Sequence, residues 1–368
     1  MVFDQAGRLL SATMNGGVYR RGTDGSILRI ERQESGTVRY HDTRRLDVGE
    51  ADQLLHQIHL RLHAARSLLG DGFTPLMPAT TINLKADAAI FQKLYREVGI
   101  LPPDRYRALV LNLTEGCSYN RCSFCSFYRN KTYRVRSTEV FRRHVQSIVA
   151  AFGAGLAYRR GIFLGQANAA SLALDSLLGA LATIREMFPC KWTDLSGRPR
   201  HPLDFERVSA FLDTFTRPRR SVQDWVLLRR AGLDSVYLGV ESGSPRALKL
   251  LGKPGAPRHV GELVSRLKQA GVKVNVIIMS GVGGREMAQE HMAATTALLN
   301  SLPLVGEDRI HISEMVVQPG SKYSRTDLEH LDRVACRLQT RAIRAGLSFP
   351  QPPRGPAVTL YDIRQFVY

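Results

Sequence analysis

The chain has 368 residues and no run of eighteen or more apolar ones, so nothing in it predicts a membrane span. Its N-terminus, Met1-Val-Phe-Asp-Gln-Ala-Gly-Arg8, lacks the basic segment and apolar core of a secretory signal, so an intracellular, cytoplasmic location is the default expectation. Cysteine is scarce. There are five, an odd count with three clustered, which argues against a disulfide framework. Acidic residues are in deficit: 33 Asp and Glu face 51 Lys and Arg, a formal net charge of +18. That excess attracts RNA, DNA or small anionic substrates, although arginine spread over a solvated surface gives the same total and specifies no partner. Internal repeats and low-complexity tracts are missing as well. A hydrophobic content of 44% is ordinary for a globular protein, and the length suits one large domain or two smaller ones.

What is present divides into three parts. Val18-Tyr-Arg-Arg21 and Ile27-Leu-Arg-Ile30 flank the turn-rich Gly22-Thr-Asp-Gly-Ser26 and predict a β-hairpin, with Thr37-Val-Arg-Tyr40 as a third short strand. Leu55, Ile58, Leu62, Ala65 and Leu69 follow helical spacing after Asp47, and Gly70-Asp-Gly72 ends that helix. Residues 1–100 thus read as an accessory β-plus-α unit, with Leu101-Pro-Pro103 as linker. From about residue 105, short apolar runs at 108–113, 161–165, 207–212, 235–240, 273–279 and 309–317 alternate with helical patterns near 137–152, 171–187, 221–231, 258–270 and 286–301. Six strands with interposed helices imply parallel pairing and right-handed crossovers. The predicted fold over residues 101–325 is α/β, a partial (β/α)6 TIM-like barrel whose chemistry collects at the C-terminal ends of the strands. Residues 326–368 complete the chain: Thr326-Asp-Leu-Glu329 has a capping-box pattern opening a helix that stops at Gly346, and an apolar tail, Val358 to Tyr368, is expected to pack back onto the barrel.

The most informative feature is Cys117-Ser-Tyr-Asn-Arg-Cys122-Ser-Phe-Cys125, directly after the first barrel strand. Three thiolates there leave one coordination site of a four-iron cluster free, which suits an iron that binds a substrate or cofactor. A structural zinc site is the alternative, with Cys190 or Cys336 as fourth ligand, but neither has a Cys or His neighbour at short spacing. Both otherwise read as buried small hydrophobes. Further glycine-containing segments close later strands: Phe163-Leu-Gly165-Gln166-Ala-Asn168, Tyr237-Leu-Gly-Val-Glu241-Ser242-Gly-Ser244, and Ile278-Met-Ser-Gly281-Val-Gly283-Gly-Arg-Glu286.

Together these segments, in this order over residues 105–320, resemble the radical S-adenosylmethionine (SAM) superfamily, in particular a stand-alone elongator/MiaB-like core. The first cysteine gap is one residue longer than the commonest spacing of that family. The resemblance implies a [4Fe–4S] cluster held by Cys117, Cys122 and Cys125, with SAM chelating the open iron and being cleaved reductively to a 5′-deoxyadenosyl radical. By position it implies SAM contacts from Phe124, Gly165, Gln166, Asn168, Glu241, Ser242, Ser244, Gly281 and Gly283. Gln166 and Asn168 replace the usual acidic character of their segment. An electron donor such as flavodoxin or ferredoxin is the implied partner. No Asp-x-His-x-x-Gly motif is present, so cobalamin chemistry is not supported.

The substrate is open on sequence grounds. Phe127 to Arg136 interleaves basic and aromatic residues, a pattern that stacks bases and neutralises phosphates, or covers a cofactor and holds carboxylates. The second use is favoured, for a small or peptidic anionic substrate, with RNA as the alternative substrate and a non-enzymatic metal- or nucleic-acid-binding module as the third reading. Arg198-Pro-Arg200 and Arg217-Pro-Arg-Arg220 add positive charge. His56, His59 and His63 lie on one face of the N-terminal helix, as a polar edge or a metal chelate.

Overall fold

The computed structural model describes residues 1–69, 84–95, 98–215 and 220–368, arranged as two compact units. The expected stop at Gly70-Asp-Gly72 and the segment Arg217 to Arg219 lie outside the described residues.

The first unit comprises residues 1–109, 144–160 and 364–368. Strands β1 (Val2–Phe3), β2 (Leu9–Met14), β3 (Gly17–Arg21), β4 (Ile27–Ser35) and β5 (Val38–Arg45) form an antiparallel sheet in sequence order. The predicted hairpin is therefore one step of a longer meander, with Val18 opposite Ile30. Leu9, Ala12, Met14, Tyr19 and Ile27 form one hydrophobic core with Leu54, Ile58 and Leu62 of helix α1 (Val48–Leu69). Helix α2 (Leu84–Tyr95) contributes Asp87, which receives both Nη atoms of the buried Arg21 at 2.7 and 3.0 Å. A buried guanidinium needs such a bidentate partner to offset its desolvation.

The second unit, residues 110–143 and 161–363, carries the barrel. Its strands are β6 (Leu109–Asn112), the short β7 (Thr114–Glu115) and β8 (Arg134–Val135), β9 (Ile162–Gly165), the small hairpin β10 (Trp192–Thr193) and β11 (Pro199–Arg200), then β12 (Val208–Leu212), β13 (Leu233–Glu241), β14 (Lys273–Ser280), β15 (Arg309–Glu314) and β16 (Ala357–Tyr361). The sheet order is β16-β15-β14-β13-β12-β9-β6, and the pairings from β9 to β16 are all parallel. The chain steps from each strand to its neighbour through α3 (Thr138–Phe152), α4 (Leu174–Met187), α5 (Val222–Ala231), α6 (Pro245–Leu250) with α7 (Pro257–Gln269), α8 (Ala288–Ser301) and α9 (Arg333–Ala345). The central strands are buried on both faces, which explains their continuous apolar runs. The result is the expected partial barrel, an open parallel sheet ending in two edge strands.

Two elements differ from the sequence reading. The tail adds a seventh parallel strand, β16, in register with β15 and tied to it by Thr359 Oγ1 and His311 Nδ1 at 2.7 Å. The helix expected to open at Thr326 begins instead at Arg333. Thr326 spends its hydroxyl on the Tyr323 carbonyl at 2.8 Å, and the Glu329 amide donates to Glu286 Oε1 at 3.0 Å, so the box cannot form. The N-cap is Asp332, whose Oδ1 accepts from the Ala335 amide at 2.7 Å. Replacing Asp332 with Ala is expected to cost about 1 kcal/mol. Chemical denaturation would show it as a lowered midpoint with unchanged slope.

Candidate active site

Strand β6 leads through Gly116 into the cysteine loop. Gly116 has φ +72° and donates its N–H to Gln166 Oε1 at 2.8 Å. A Cβ there would approach the Thr132 carbonyl oxygen to 3.2 Å, so glycine admits the close passage of two backbones. The loop has almost no regular structure and is braced from outside. Tyr119 Oη donates to the Gly252 carbonyl at 2.6 Å, the Ser123 amide to Leu251 at 2.8 Å, and Ser123 Oγ to Leu250 at 2.8 Å. From the other side the Tyr323 amide donates to the Ser123 carbonyl at 3.0 Å, and Gln318 Oε1 accepts from the Ser126 amide at 3.1 Å. Phe124 packs against the core formed by Ala247, Leu251, Met279, Val282 and Tyr323.

Cys117, Cys122 and Cys125 are free, partly exposed thiols. The Asn120 amide donates to Cys117 Sγ at 3.4 Å, and the Phe127 amide to Cys125. Burial pushes the Cys122 thiol up to about 12, Lys253 opposing and the neighbouring Cys125, Glu241 and Cys117 adding to it. Burial also raises Cys125. Both are thus neutral thiols at rest, and iron must displace their protons. Three sulfurs on one loop, two of them receiving backbone N–H groups, fit an iron–sulfur cluster. Among the described residues no set of three or more His, Cys, Asp and Glu side chains is gathered around a single ion. The ligands of a four-iron cluster each bind a different iron.

The other strand ends converge on buried polar contacts. Gln166 donates its amide to Thr114 Oγ1 at 2.9 Å. Gly165 faces Asn112, whose Oδ1 would clash with an added Cβ. Asn168, with φ +52°, donates Nδ2 to Asp213 beyond β12. Glu241 closes β13 with φ +63° and accepts from Lys253 Nζ at 2.9 Å, while the same ammonium donates to the Gly239 carbonyl at 2.5 Å. Burial alone would lower the Lys253 pKa, but the carboxylates of Glu241 and Asp213 leave it raised, so the ammonium stays charged. Ser244 caps α6 by accepting from the Ala247 amide at 3.1 Å and donates to Glu290 at 2.5 Å. Gly281 (φ +86°) donates to Gln339 Oε1 at 2.6 Å, and Gly283 (φ +79°) to Tyr323 Oη at 2.9 Å. A Cβ on Gly281 would meet Cys336 Sγ at 2.6 Å, and one on Gly283 would meet Met287. These glycines therefore admit protein neighbours as well as an unusual backbone.

A family profile of the radical SAM superfamily matches residues 111–295, just over half of the chain. The chain belongs to the radical SAM superfamily. Radical SAM enzymes use a [4Fe–4S] cluster and SAM, which they cleave reductively, and they need a reductant such as flavodoxin or ferredoxin. Solved structures similar to this chain include coproporphyrinogen III oxidase (HemN) from Escherichia coli, at 14% identity and TM-score 0.47, covering 70% of this chain and 54% of that one. Methylornithine synthase (PylB) matches at 12% identity and TM-score 0.45, over 73% and 74% of the two chains. The [FeFe]-hydrogenase maturase HydG matches at 14% identity and TM-score 0.42, over 84% and 71%. This chain spans about half the length of the coproporphyrinogen oxidase. No curated protein sequence matches it. No described helix is long and apolar enough to cross a membrane.

Sequence reasoning missed Lys253, Asp213 and His291. Lys253 stands in a Gly-Lys-Pro turn twelve positions after Glu241, and only the return of the chain around α6 brings the two together. The expectation of two buried spare cysteines holds for Cys336 and fails for Cys190, which is exposed in the polar insertion before β10. His59 and His63 meet edge to face with centroids 4.5 Å apart on α1, in the other unit.

His291 fixes the turn after β13. Its Nε2 contacts the Met279 carbonyl at 2.7 Å, so that nitrogen carries the proton, and Nδ1 accepts from Ser242 Oγ at 2.8 Å. Ser242 Oγ in turn accepts the Ser244 amide at 3.0 Å. Burial lowers the His291 pKa below its usual 6.5. The unfolded chain therefore takes up this proton first as pH falls, and the associated stability, intact above about 6.5, is lost below it. Urea midpoints measured between about pH 7 and pH 5 should fall more steeply for the native protein than for His291→Gln.

Proposed function

We propose that Cys117, Cys122 and Cys125 hold the cluster of this radical SAM enzyme and that the buried Lys253–Glu241 pair beside them receives SAM. The observation that supports this most is that pair: Cys122, Lys253 and Glu241 lie within each other's electrostatic reach at the mouth of the barrel. SAM carries both an α-ammonium and an α-carboxylate, and a cation next to an anion complements such a zwitterion. Lys253 would take the carboxylate, while Glu241 and the Gln166–Asn168 segment supply acceptors for its ammonium or ribose. Phe124, Gly165, Gly281 and Gly283 would pass close to the rest of the molecule, with Ser242 and Ser244 holding the turn that presents Glu241. When bound, the reduced cluster supplies the electron that cleaves SAM.

The substrate in this reading is an anionic small molecule or peptide, from which cleaved SAM would take a hydrogen atom. Tyr133 supports that choice. It is 37% exposed and is followed by the exposed Arg134. A ring and a guanidinium beside the cluster loop suit an anionic guest.

Anaerobic reconstitution with iron and sulfide, followed by reduction and chromatography of SAM products, tests the assignment. The native protein should yield 5′-deoxyadenosine, and Cys117→Ala should lose both the cluster and the product. Lys253→Met should keep its iron and weaken SAM binding by about tenfold or more, the weight of one charge-assisted hydrogen bond. Native-level iron in Cys117→Ala, or unchanged SAM affinity in Lys253→Met, would remove the corresponding part of the proposal.

A further inference from the structure

Arg129 follows the third cysteine by four residues, and its guanidinium turns back onto the loop. Nε donates to the Cys125 carbonyl at 3.0 Å and Nη2 to the Cys122 carbonyl at 2.6 Å. One planar fork thus spans the backbones of two cluster ligands, which are themselves joined by the Cys125 amide on the Cys122 carbonyl at 3.4 Å. The Arg129 amide closes a turn on the Ser126 carbonyl at 3.3 Å, and Asn120 Nδ2 fixes the adjacent Tyr128 carbonyl at 2.7 Å. The residue is half-buried, and among the described residues no carboxylate pairs with it. This sets it apart from the buried Lys253, whose charge is matched by Glu241.

An unmatched cation at this place acts on electron uptake. Three thiolates on a dicationic core leave one net negative charge, and one-electron reduction doubles it. A fixed positive charge favours the reduced form more than the oxidised one, and half-burial limits how far water and salt screen it. Hydrogen bonds to the two ligand carbonyls hold the charge in place without occupying a sulfur or the open iron. We propose that Arg129 is a positioning residue that raises the cluster's reduction potential, so that a low-potential one-electron donor can load it. The inference rests on the three cysteines being the cluster ligands.

The test is a redox titration of the reconstituted protein followed by electron paramagnetic resonance, with iron and sulfide assayed first. Arg129→Gln removes the charge; Arg129→Lys keeps it and loses the fork. The expected result is a midpoint potential shifted to more negative values in Arg129→Gln and left near the native value in Arg129→Lys, at equal iron content. Equal potentials in all three proteins would overturn the proposal while leaving the ligand assignment intact. If Arg129→Gln fails to hold iron, Arg129→Lys decides: loading with a native potential supports the requirement for charge, and failure to load contradicts it. A native protein that takes up no cluster would refute the ligand assignment and this inference with it.

Discussion

The cysteine loop has no ladder of its own, so its shape depends on hydrogen bonds lent by other elements. Ser123 sits at the centre of that arrangement. Its amide and hydroxyl donate to the end of α6, and its carbonyl accepts from Tyr323, so one residue joins three stretches of chain. Tyr119 and Gln318 hold the flanks. A loop fixed only by side chains and borrowed carbonyls would be too loose to place three sulfurs reproducibly. The surrounding sheet removes that freedom, because the ends of β6, β13 and β14 are themselves set by parallel pairing and complete burial.

Polar groups concentrated at those strand ends are costly unless each is matched. The structure meets the requirement with short chains of contacts: Lys253 with Glu241, Asn168 with Asp213, and His291 with Ser242 and the Met279 carbonyl. Left-handed backbone at Glu241 and Asn168 is held in place by the same contacts. Arg129, on the loop itself, is satisfied in hydrogen bonding by two backbone carbonyls, with no carboxylate partner among the described residues.

The barrel was legible in the sequence because its strands are buried on both faces and read as short, mainly apolar runs such as Val274-Asn-Val-Ile-Ile-Met279. The three cysteines stood out because they fall within nine residues directly after a strand, in a chain that has only five. Strand β16 was not, since it is an edge strand whose residues are mostly half-exposed and whose pattern resembles a tail. The start of α9 was misread because a capping box is a local signal, whereas the competition for its groups is tertiary. Here the Tyr323 carbonyl takes the Thr326 hydroxyl, and Glu286 takes the Glu329 amide. Lys253 and His291 carry no local signature at all. Their roles arise from which strand ends face them once the sheet is assembled.

Mössbauer spectroscopy of the protein reconstituted with enriched iron, before and after addition of SAM, tests the central claim most directly. Three cysteine ligands leave one iron distinct, so SAM should change the spectrum of one iron in four and leave the other three unaltered. A four-iron cluster whose spectrum is indifferent to SAM, or a site that takes up zinc in place of iron, would contradict the account.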